Sequence, residues 1–368
     1  MNSSSCFPGK RCEWIDAAKG IAILLVLIGH SEFWAYYKSV PPNVLLSTFG
    51  SILGLCGASY MPLFYFLSGY TYKPHDRELQ YRFKRLIPPY ARWGFLYLII
   101  FWFGVFSDNG SLLSWLMPLF GLAYSRYSLY PADSIQNTSG ILPSGAEPLW
   151  FLTSLFTSYI LFLLLLKTDK RRHITVILYA AMGYLLSFCP ILLPWSLDTA
   201  FAGALFIYTG HIVKKKGITT LAYPGLLDIF LFSLSLYLFA YTINGGVNFS
   251  IREYGRHDHL SPFLFLLIGI LGSLLYCFVC MALEKTKMTK PLAYIGRISL
   301  PLLCSHMLCY QMTLHIFGTD SEHPLNIQYI VLLQISTAIL LSVIIHELHK
   351  LYRSFSSRRH VHTNTNNA

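Results

Sequence analysis

Lys19 and His30, in the first apolar stretch, could carry chemistry because both side chains are ionisable. A charge near the centre of a bilayer costs a few kcal/mol or more, so such residues invite a functional explanation. Histidine can exchange a proton near neutral pH. The two residues are eleven positions apart, which leaves them only about 20° apart around a helix. We therefore expect both to face one cavity, although a hydrogen-bonded histidine and a lysine snorkelling to water explain the residues equally well.

A cationic pair, Arg82 and Arg85, immediately precedes the sequence Leu-Ile-Pro-Pro at the third apolar stretch. On a helix, residues at i and i+3 project the same way, so the two guanidinium groups form a compact fork. Guanidinium groups bind phosphates through paired donors. Taken alone, the pair is better explained by the tendency of cytoplasmic segments to be basic. The run Lys214 to Lys216 is of the same kind, and we assign no site to it.

Three other patterns give weaker evidence for a functional site. Ser299 and His306 are seven positions apart and share one side of a span, but helix packing explains them slightly better than catalysis. Cys277-x-x-Cys280 has a zinc-like spacing, yet it lies within an apolar span without histidine or carboxylate company. His346-Glu347-Leu-His349 lacks the i, i+4 histidines of a metalloprotease helix. We predict no metal site.

The elements that must position these residues are membrane spans. The chain has 368 residues, of which 54% are hydrophobic and only 12% charged, and its mean hydropathy of +0.49 is too high for a soluble domain. Apolar runs long enough to cross a hydrocarbon layer as helices recur about ten times. The sequence therefore predicts an all-α, polytopic transmembrane helical bundle. The predicted spans are Ile15–Trp34, Phe49–Tyr72, Leu86–Phe106, Leu149–Leu166, Ile174–Trp195, Leu197–Val213, Leu221–Ile243, Leu260–Leu283, Leu292–Ile316 and Ile327–Ile345.

The net charge of +11 follows membrane topology rather than a nucleic-acid footprint. With a cytoplasmic N-terminus, 22 of the 28 Lys and Arg residues fall in inside segments and only 4 in outside segments. This asymmetry predicts that both termini are cytoplasmic and that the basic residues contact membrane lipids. His30 then lies about 22 Å up the first helix, in the outer part of the membrane. Asp16 and Lys19 stay near the cytoplasmic surface.

Two outer segments are long enough to contribute to a site. The segment from Ser107 to Pro148 includes an apolar run, Ser111–Ala123, which is too short to span and predicts an interfacial or re-entrant helix. The loop Asn244–His259 is polar, and holding a sugar or facing water explains it equally well. We divide the chain into one membrane-embedded domain, residues 1–351, and a disordered cytoplasmic tail, residues 352–368.

Several short motifs follow one another along the chain. The first runs from Trp14 through Lys19-Gly20 to Gly29-His30. The later motifs are Met61-Pro-Leu-Phe-Tyr-Phe-Leu-Ser68-Gly69-Tyr70, Arg82-x-x-Arg85 with its Leu-Ile-Pro-Pro, and Pro148-Leu-Trp150-Phe-Leu. In this order, over about residues 11–345, they resemble the acyltransferase-3 family of integral membrane O-acyltransferases, whose opening signature is a basic residue followed eleven positions later by histidine. Many relatives have arginine where this chain has Lys19, so charge is kept and a bidentate grip is lost. Pro194-Trp195-Ser-Leu-Asp198 and the segment Gly296 to His306 resemble the fucose 4-O-acetylase-like branch.

The resemblance implies acetyl-CoA as donor and a hydroxyl of a surface glycan, or of its lipid-linked precursor, as acceptor, in a bacterial-type inner membrane. Arg82, Arg85 and Lys19, with Asp16 to orient them, would hold the coenzyme A phosphates. His30 would be the general base, which we favour, or a nucleophile that carries acetyl. Glu147 would orient His30 or the sugar. The residues implied to contact substrate are Trp150, Asp198, Ser68, Tyr70 and His306. A transporter or flippase of lipid-linked sugars is the alternative, and a structural scaffold is a distant third.

Overall fold

Helices account for nearly all of the regular structure, as the apolar runs predict. The computed structural model describes residues 11–39, 41, 44–105, 112–126, 128–130, 141–142, 145–220, 223–247, 249, 252–256, 259–284, 286–317 and 324–365. The helices are α1 (Glu13–His30), α2 (Phe33–Ser39), α3 (Val44–Tyr70), α4 (Glu78–Val105), α5 (Leu112–Tyr124), α6 (Trp150–Lys167), α7 (Arg172–Ser187), α8 (Leu197–Lys215), α9 (Tyr223–Asn244), α10 (Ser261–Leu283), α11 (Thr289–Arg297), α12 (Ser299–Phe317) and α13 (Pro324–Thr365). Short 3-10 turns cover Glu147–Leu149, Asp169–Arg171, Pro194–Ser196 and Ile218–Thr220.

Within the described ranges, five helical segments are long and apolar enough to cross a membrane. A sixth is added if the bent pair α11 and α12 counts as one span. The all-helical membrane bundle is therefore confirmed, whereas the count of about ten spans and the cytoplasmic termini stay predictions. The five segments are Leu46–Tyr70, Glu147–Lys167, Gly225–Asn244, Ser261–Leu283 and Ile327–Tyr352.

The first predicted span does not continue to Trp34, because α1 ends at His30. Ser31 leaves the helical conformation with φ −77° and ψ 172°. Its Oγ atom accepts a hydrogen bond from the Phe33 N–H at 3.3 Å, and so caps the start of α2. Because of this break, His30 is the last residue of its helix rather than a residue in mid-span.

Two other predicted spans are interrupted near prolines. The ninth is bent by 76° between α11 and α12. In a continuous helix the Pro301 ring would meet the carbonyl of Arg297, whereas in the first turn of α12 its missing N–H is harmless. The fifth ends at Ser187, shortly before Pro190, instead of at Trp195.

Two further predictions concern the ends of elements. The helix predicted over Ser111–Ala123 is present as α5. The last helix, α13, continues to Thr365 and therefore enters residues 352–368, for which the sequence predicts a disordered tail. The boundary at residue 351 stays a prediction.

Glycines bring two pairs of helices into backbone contact. A Cβ atom at Gly20 of α1 would collide with the carbonyl oxygen of Leu292 on α11, and one at Gly296 of α11 would collide with the carbonyl oxygen of Asp16. The same arrangement joins α3 to α8 through Gly69 and Gly210. These contacts fix α1 and α3 against their neighbours, and both helices line the cavities described below.

The substitution Gly20→Ala tests the contact between α1 and α11. The new methyl group meets backbone atoms, which cannot rotate away, so we expect a loss of about 1–3 kcal/mol and a lower Tm of the detergent-purified protein. The matched control is Gly225→Ala in α9, where the added atom meets nothing within 4 Å. Alanine favours helices over glycine, so this control should keep or raise the Tm. Equal Tm values for Gly20→Ala and the unsubstituted protein would contradict the contact.

Candidate active site

A cavity of about 1020 Å³ opens among α1, α3, α4, α6 and the α11–α12 bend. Its lining carries seven cationic side chains and two carboxylates, a net charge of +5 with His75 neutral. We call it the cationic cavity. The cationic residues are Arg11, Lys19, Lys73, Arg82, Arg85, Lys214 and Arg297, and the acidic ones are Asp16 and Glu78. Such an excess of positive charge favours a ligand with several anionic groups.

Three of the seven cations are paired with the two acids. The buried carboxylate of Asp16 contacts Arg11 at 2.6 Å and Arg297 at 3.6 Å. Asp16 therefore orients these two arginines rather than Lys19. Glu78 contacts Arg82 at 2.6 Å. The other four cationic residues of the lining form no ion pair within the described part of the chain; they are Lys19, Lys73, Arg85 and Lys214.

Arg82 and Arg85 both line the cationic cavity, but they are not equivalent members of a fork. Arg82 is held on two sides, by Glu78 and by the Tyr159 ring, whose centroid lies 4.0 Å from the guanidinium carbon. Arg85 is exposed, and its Nη1 donates to the Tyr81 hydroxyl at 3.0 Å. Arg85 is therefore the freer of the two for a ligand.

Ser68 and Tyr70 also line the cationic cavity, so the structure places these expected substrate-binding residues beside the expected phosphate-binding ones. The Ser68 hydroxyl donates to the Phe64 carbonyl at 2.9 Å. The Tyr70 hydroxyl lies 2.7 Å from that of Thr219. Both hydroxyls are thus engaged within the protein.

A second cavity, of about 220 Å³, surrounds His30, and we call it the histidine pocket. His30 is solvent-accessible at the end of α1, and Trp150 enters from the start of α6. Apart from His30 and Tyr60, the lining side chains are apolar or indole groups. The pocket is lined by Val26, Gly29, His30, Gly57, Ala58, Tyr60, Met61, Pro62, Pro148, Trp150, Val247, Phe249 and Leu303. Within this lining, the His30 imidazole is therefore surrounded by apolar and aromatic side chains.

Met61 and Leu303 line both cavities and form a shared wall between them. The expectation that Lys19 and His30 face one cavity is therefore wrong, because Lys19 lines the cationic cavity and His30 the histidine pocket. Eleven residues of helix separate them by about 16 Å along α1. At this distance, side chains from α3 and α12 fit between the two residues.

His306 lies beside His30, with ring centroids 5.4 Å apart. It is fully buried and lines neither cavity. Its Nδ1 contacts the carbonyl oxygens of Leu302 and Leu303, at 3.0 and 3.1 Å, and must carry the proton because carbonyls only accept. Its Nε2 is then an acceptor, and it has no hydrogen-bond partner among the described residues. The structure thus places His306 against the other histidine rather than in contact with a substrate cavity.

Glu147 lines neither cavity, although Pro148 and Trp150 of the same segment line the histidine pocket. Its Oε2 is buried and has no hydrogen-bond partner in the described ranges. No hydrogen bond joins it to His30 there. The expected orienting role of Glu147 therefore gains no contact from the structure.

Asp198 is fully buried between two arginines and does not line either cavity. Its carboxylate contacts Arg126 at 2.5 Å and Arg252 at 3.0 Å. Arg252 also donates to the carbonyls of Cys189 and Ile191, at 2.7 and 3.1 Å. The carboxylate thus ties the segment after α5 and the segment between α9 and α10 to the start of α8, and Arg252 in turn holds the segment that follows α7.

The residues that the sequence analysis missed are mostly basic. Arg11, Lys73, Lys214 and Arg297 line the cationic cavity, although the sequence explains them as topology signals. Lys214 in particular belongs to the run to which we assigned no site. Within the described ranges, no group of three or more His, Cys, Asp or Glu residues could hold a metal ion.

Comparison with models of protein families identifies a match over most of the chain. A family model described as an acyltransferase domain, of the acyltransferase-3 type, matches residues 13–347. This range includes every lining residue of both cavities except Arg11 and Cys12. No curated protein and no solved structure matches the chain.

The substitution Asp198→Asn separates a structural role from a substrate-binding one. Loss of the carboxylate leaves two buried guanidinium groups without their counter-charge, so we expect a loss of about 3–5 kcal/mol, a much lower Tm and little folded protein. The control is Asp169→Asn, whose side chain is 86% exposed and 3.7 Å from Arg172, and which should change the Tm little. A normal Tm for Asp198→Asn with a raised KM for the acceptor would instead favour substrate binding.

Proposed function

We propose a specific reaction for this chain, which belongs to the acyltransferase-3 family of membrane-bound acyltransferases. It would move an acetyl group from acetyl-CoA to a hydroxyl of a cell-surface glycan or of a lipid-linked precursor. The observation that carries the proposal is the shared wall of Met61 and Leu303. Through this wall the cationic cavity, whose charges suit phosphate groups, adjoins the histidine pocket.

The cationic cavity fits the chemistry of a coenzyme A donor. Coenzyme A carries a pyrophosphate and a 3′-phosphate, and the four lining cations without an ion pair suit anionic oxygens. At about 1020 Å³, the cavity is at the upper end of the size range of small-molecule sites. With the phosphates near these cations, the acyl end of the donor would point along α1 towards the shared wall.

His30 would act as the general base. It takes the proton from the acceptor hydroxyl while the hydroxyl oxygen bonds to the acyl carbon. As the carbon–sulfur bond breaks, the imidazolium returns the proton to the sulfur, and His30 is neutral again. In the alternative, a ring nitrogen of neutral His30 attacks the acyl carbon and the carbon–sulfur bond breaks, which releases the thiolate of coenzyme A. The acceptor hydroxyl then displaces the imidazole from the acyl carbon and gives its proton to the thiolate. The base is preferred because it needs no separate deacylation step.

The histidine pocket would receive the acceptor. Its aromatic side chains, Tyr60, Trp150 and Phe249, surround a space of about 220 Å³. This space suits the end of a sugar rather than a whole glycan. With the predicted topology, the acceptor would enter from the outer side of a bacterial-type inner membrane. The transporter alternative is not favoured by the family, and Pro301 accounts for the break between α11 and α12.

Replacing His30 tests the catalytic role. We expect His30→Ala to lower acceptor-dependent release of coenzyme A from acetyl-CoA by about 10²–10⁴-fold, as is typical of a lost acid–base group. The assay uses purified protein in phosphatidylcholine vesicles with glycan extracted from the source cells. His315→Ala is the matched control, since His315 is exposed on α12 and lines neither cavity. Full activity of His30→Ala would refute the role, and release without glycan would refute the acceptor.

Replacing Leu303 tests the shared wall. Because the acyl group would have to pass it, Leu303→Ala should admit longer groups and raise kcat/KM for butyryl-CoA relative to acetyl-CoA roughly tenfold. Leu300→Ala is the control, because Leu300 lies one turn earlier on α12 and lines only the cationic cavity. An equal change in both variants would show that the wall does not limit the acyl group.

A further inference from the structure

Lys73 and Lys214 are two of the four cavity cations that form no ion pair, and the reaction proposed above gives them no separate role. Lys73 lies between α3 and α4, and Lys214 near the end of α8, yet both line the cationic cavity. Both side chains reach solvent, and neither forms an ion pair in the described part of the chain. Partial burial and the neighbouring charge of Lys73 lower the pKa of Lys214, which follows the predicted span ending at Val213. An anion bound between two ammonium groups that have no carboxylate partner would reduce the repulsion between them.

Lys19 and Arg85 form a second pair, separate from the first. Lys19 lies on α1 and Arg85 on α4, and both line the cationic cavity. Lys73, by contrast, follows Tyr70, the last residue of α3, by three residues. Lys214 lies beside the same Tyr70, with its Nζ atom 5.8 Å from the ring centroid. The unpaired cations of the cavity are therefore divided into two groups.

The two groups differ in their position relative to the shared wall. Lys19 lies on α1 between Asp16 and Ile23, and one further turn leads to Val26 of the histidine pocket. Lys73 follows the end of α3, and Lys214 is the penultimate residue of α8. Lys19 is thus suited to the part of a ligand that leads to the wall, and Lys73 with Lys214 to its other end.

We propose that Lys73 and Lys214 form a subsite for a phosphate monoester, which is the 3′-phosphate on the ribose of coenzyme A. Lys19 and Arg85 then take the pyrophosphate, which continues into the arm that carries the thiol. A lysine ammonium acts as a point charge and suits the compact dianion of a monoester. This inference rests on the proposed donor, and it assigns a role to two lysines outside the motifs of the sequence.

Equilibrium binding of coenzyme A and of 3′-dephospho-coenzyme A tests the subsite without any turnover. The unsubstituted protein in phosphatidylcholine vesicles should bind coenzyme A roughly tenfold or more tightly than the dephospho form, as expected for charge-assisted contacts. The double variant Lys73→Gln with Lys214→Gln should bind both forms equally, at the affinity of the dephospho form. The matched control is Lys215→Gln with Lys216→Gln, which removes the same charge beside Lys214 from residues that do not line the cavity. This control should keep the tenfold preference.

The possible failures of this experiment are distinct. If the unsubstituted protein binds neither form, the proposed donor and the subsite are both wrong. If it binds coenzyme A and turns over acetyl-CoA, but the double variant keeps its preference for the 3′-phosphate, only the subsite is wrong.

A lipid is the other source of a phosphate monoester. To test this source, phosphatidic acid is added to the vesicles. The assignment would be overturned in favour of a lipid headgroup if two results are found together: phosphatidic acid competes with coenzyme A only when both lysines are present, and the unsubstituted protein binds coenzyme A and its dephospho form equally.

Discussion

The backbone contact between α1 and α11 is the constraint on which the cationic cavity depends. Gly20 and Gly296 let the two helices approach until main-chain atoms touch. At this separation Asp16 of α1 reaches Arg297, the last residue of α11, while Lys19 is left facing the cavity. The bend that follows turns α12 so that Leu303 lines both cavities. A larger residue at either glycine would move all of these groups together.

The acidic residues of the bundle determine which basic residues remain available. Asp198 is shared by two buried arginines, which also donate to backbone carbonyls. This arrangement satisfies charges that would otherwise be too costly to bury. In the cationic cavity, Asp16 and Glu78 neutralise only part of the positive charge. The fold thus pairs some cations with carboxylates and leaves others without such a partner in the described part of the chain.

Local patterns in the sequence predicted the helices and the membrane class. They also identified Lys19, Arg82 and Arg85 as candidate binding residues, and these three line one cavity. Pro190 and Pro301 also carried signals for the breaks, which hydropathy alone overlooked. Long-range pairing was not predictable, because Asp198 meets Arg126 across 72 positions. Lys214 was missed for a different reason. Membrane topology and ligand binding call for the same residue type at the same end of a helix, so composition does not separate them.

The shared wall also has a consequence for the membrane itself. A continuous water-filled passage through the bundle would let protons and small ions cross and so discharge the cell's electrochemical gradient. Met61 and Leu303 place two apolar side chains where the cationic cavity and the histidine pocket adjoin, and hydrophobic constrictions of this kind exclude water. The protein can therefore have a large cationic cavity on one side of the wall and the histidine pocket on the other without becoming a leak.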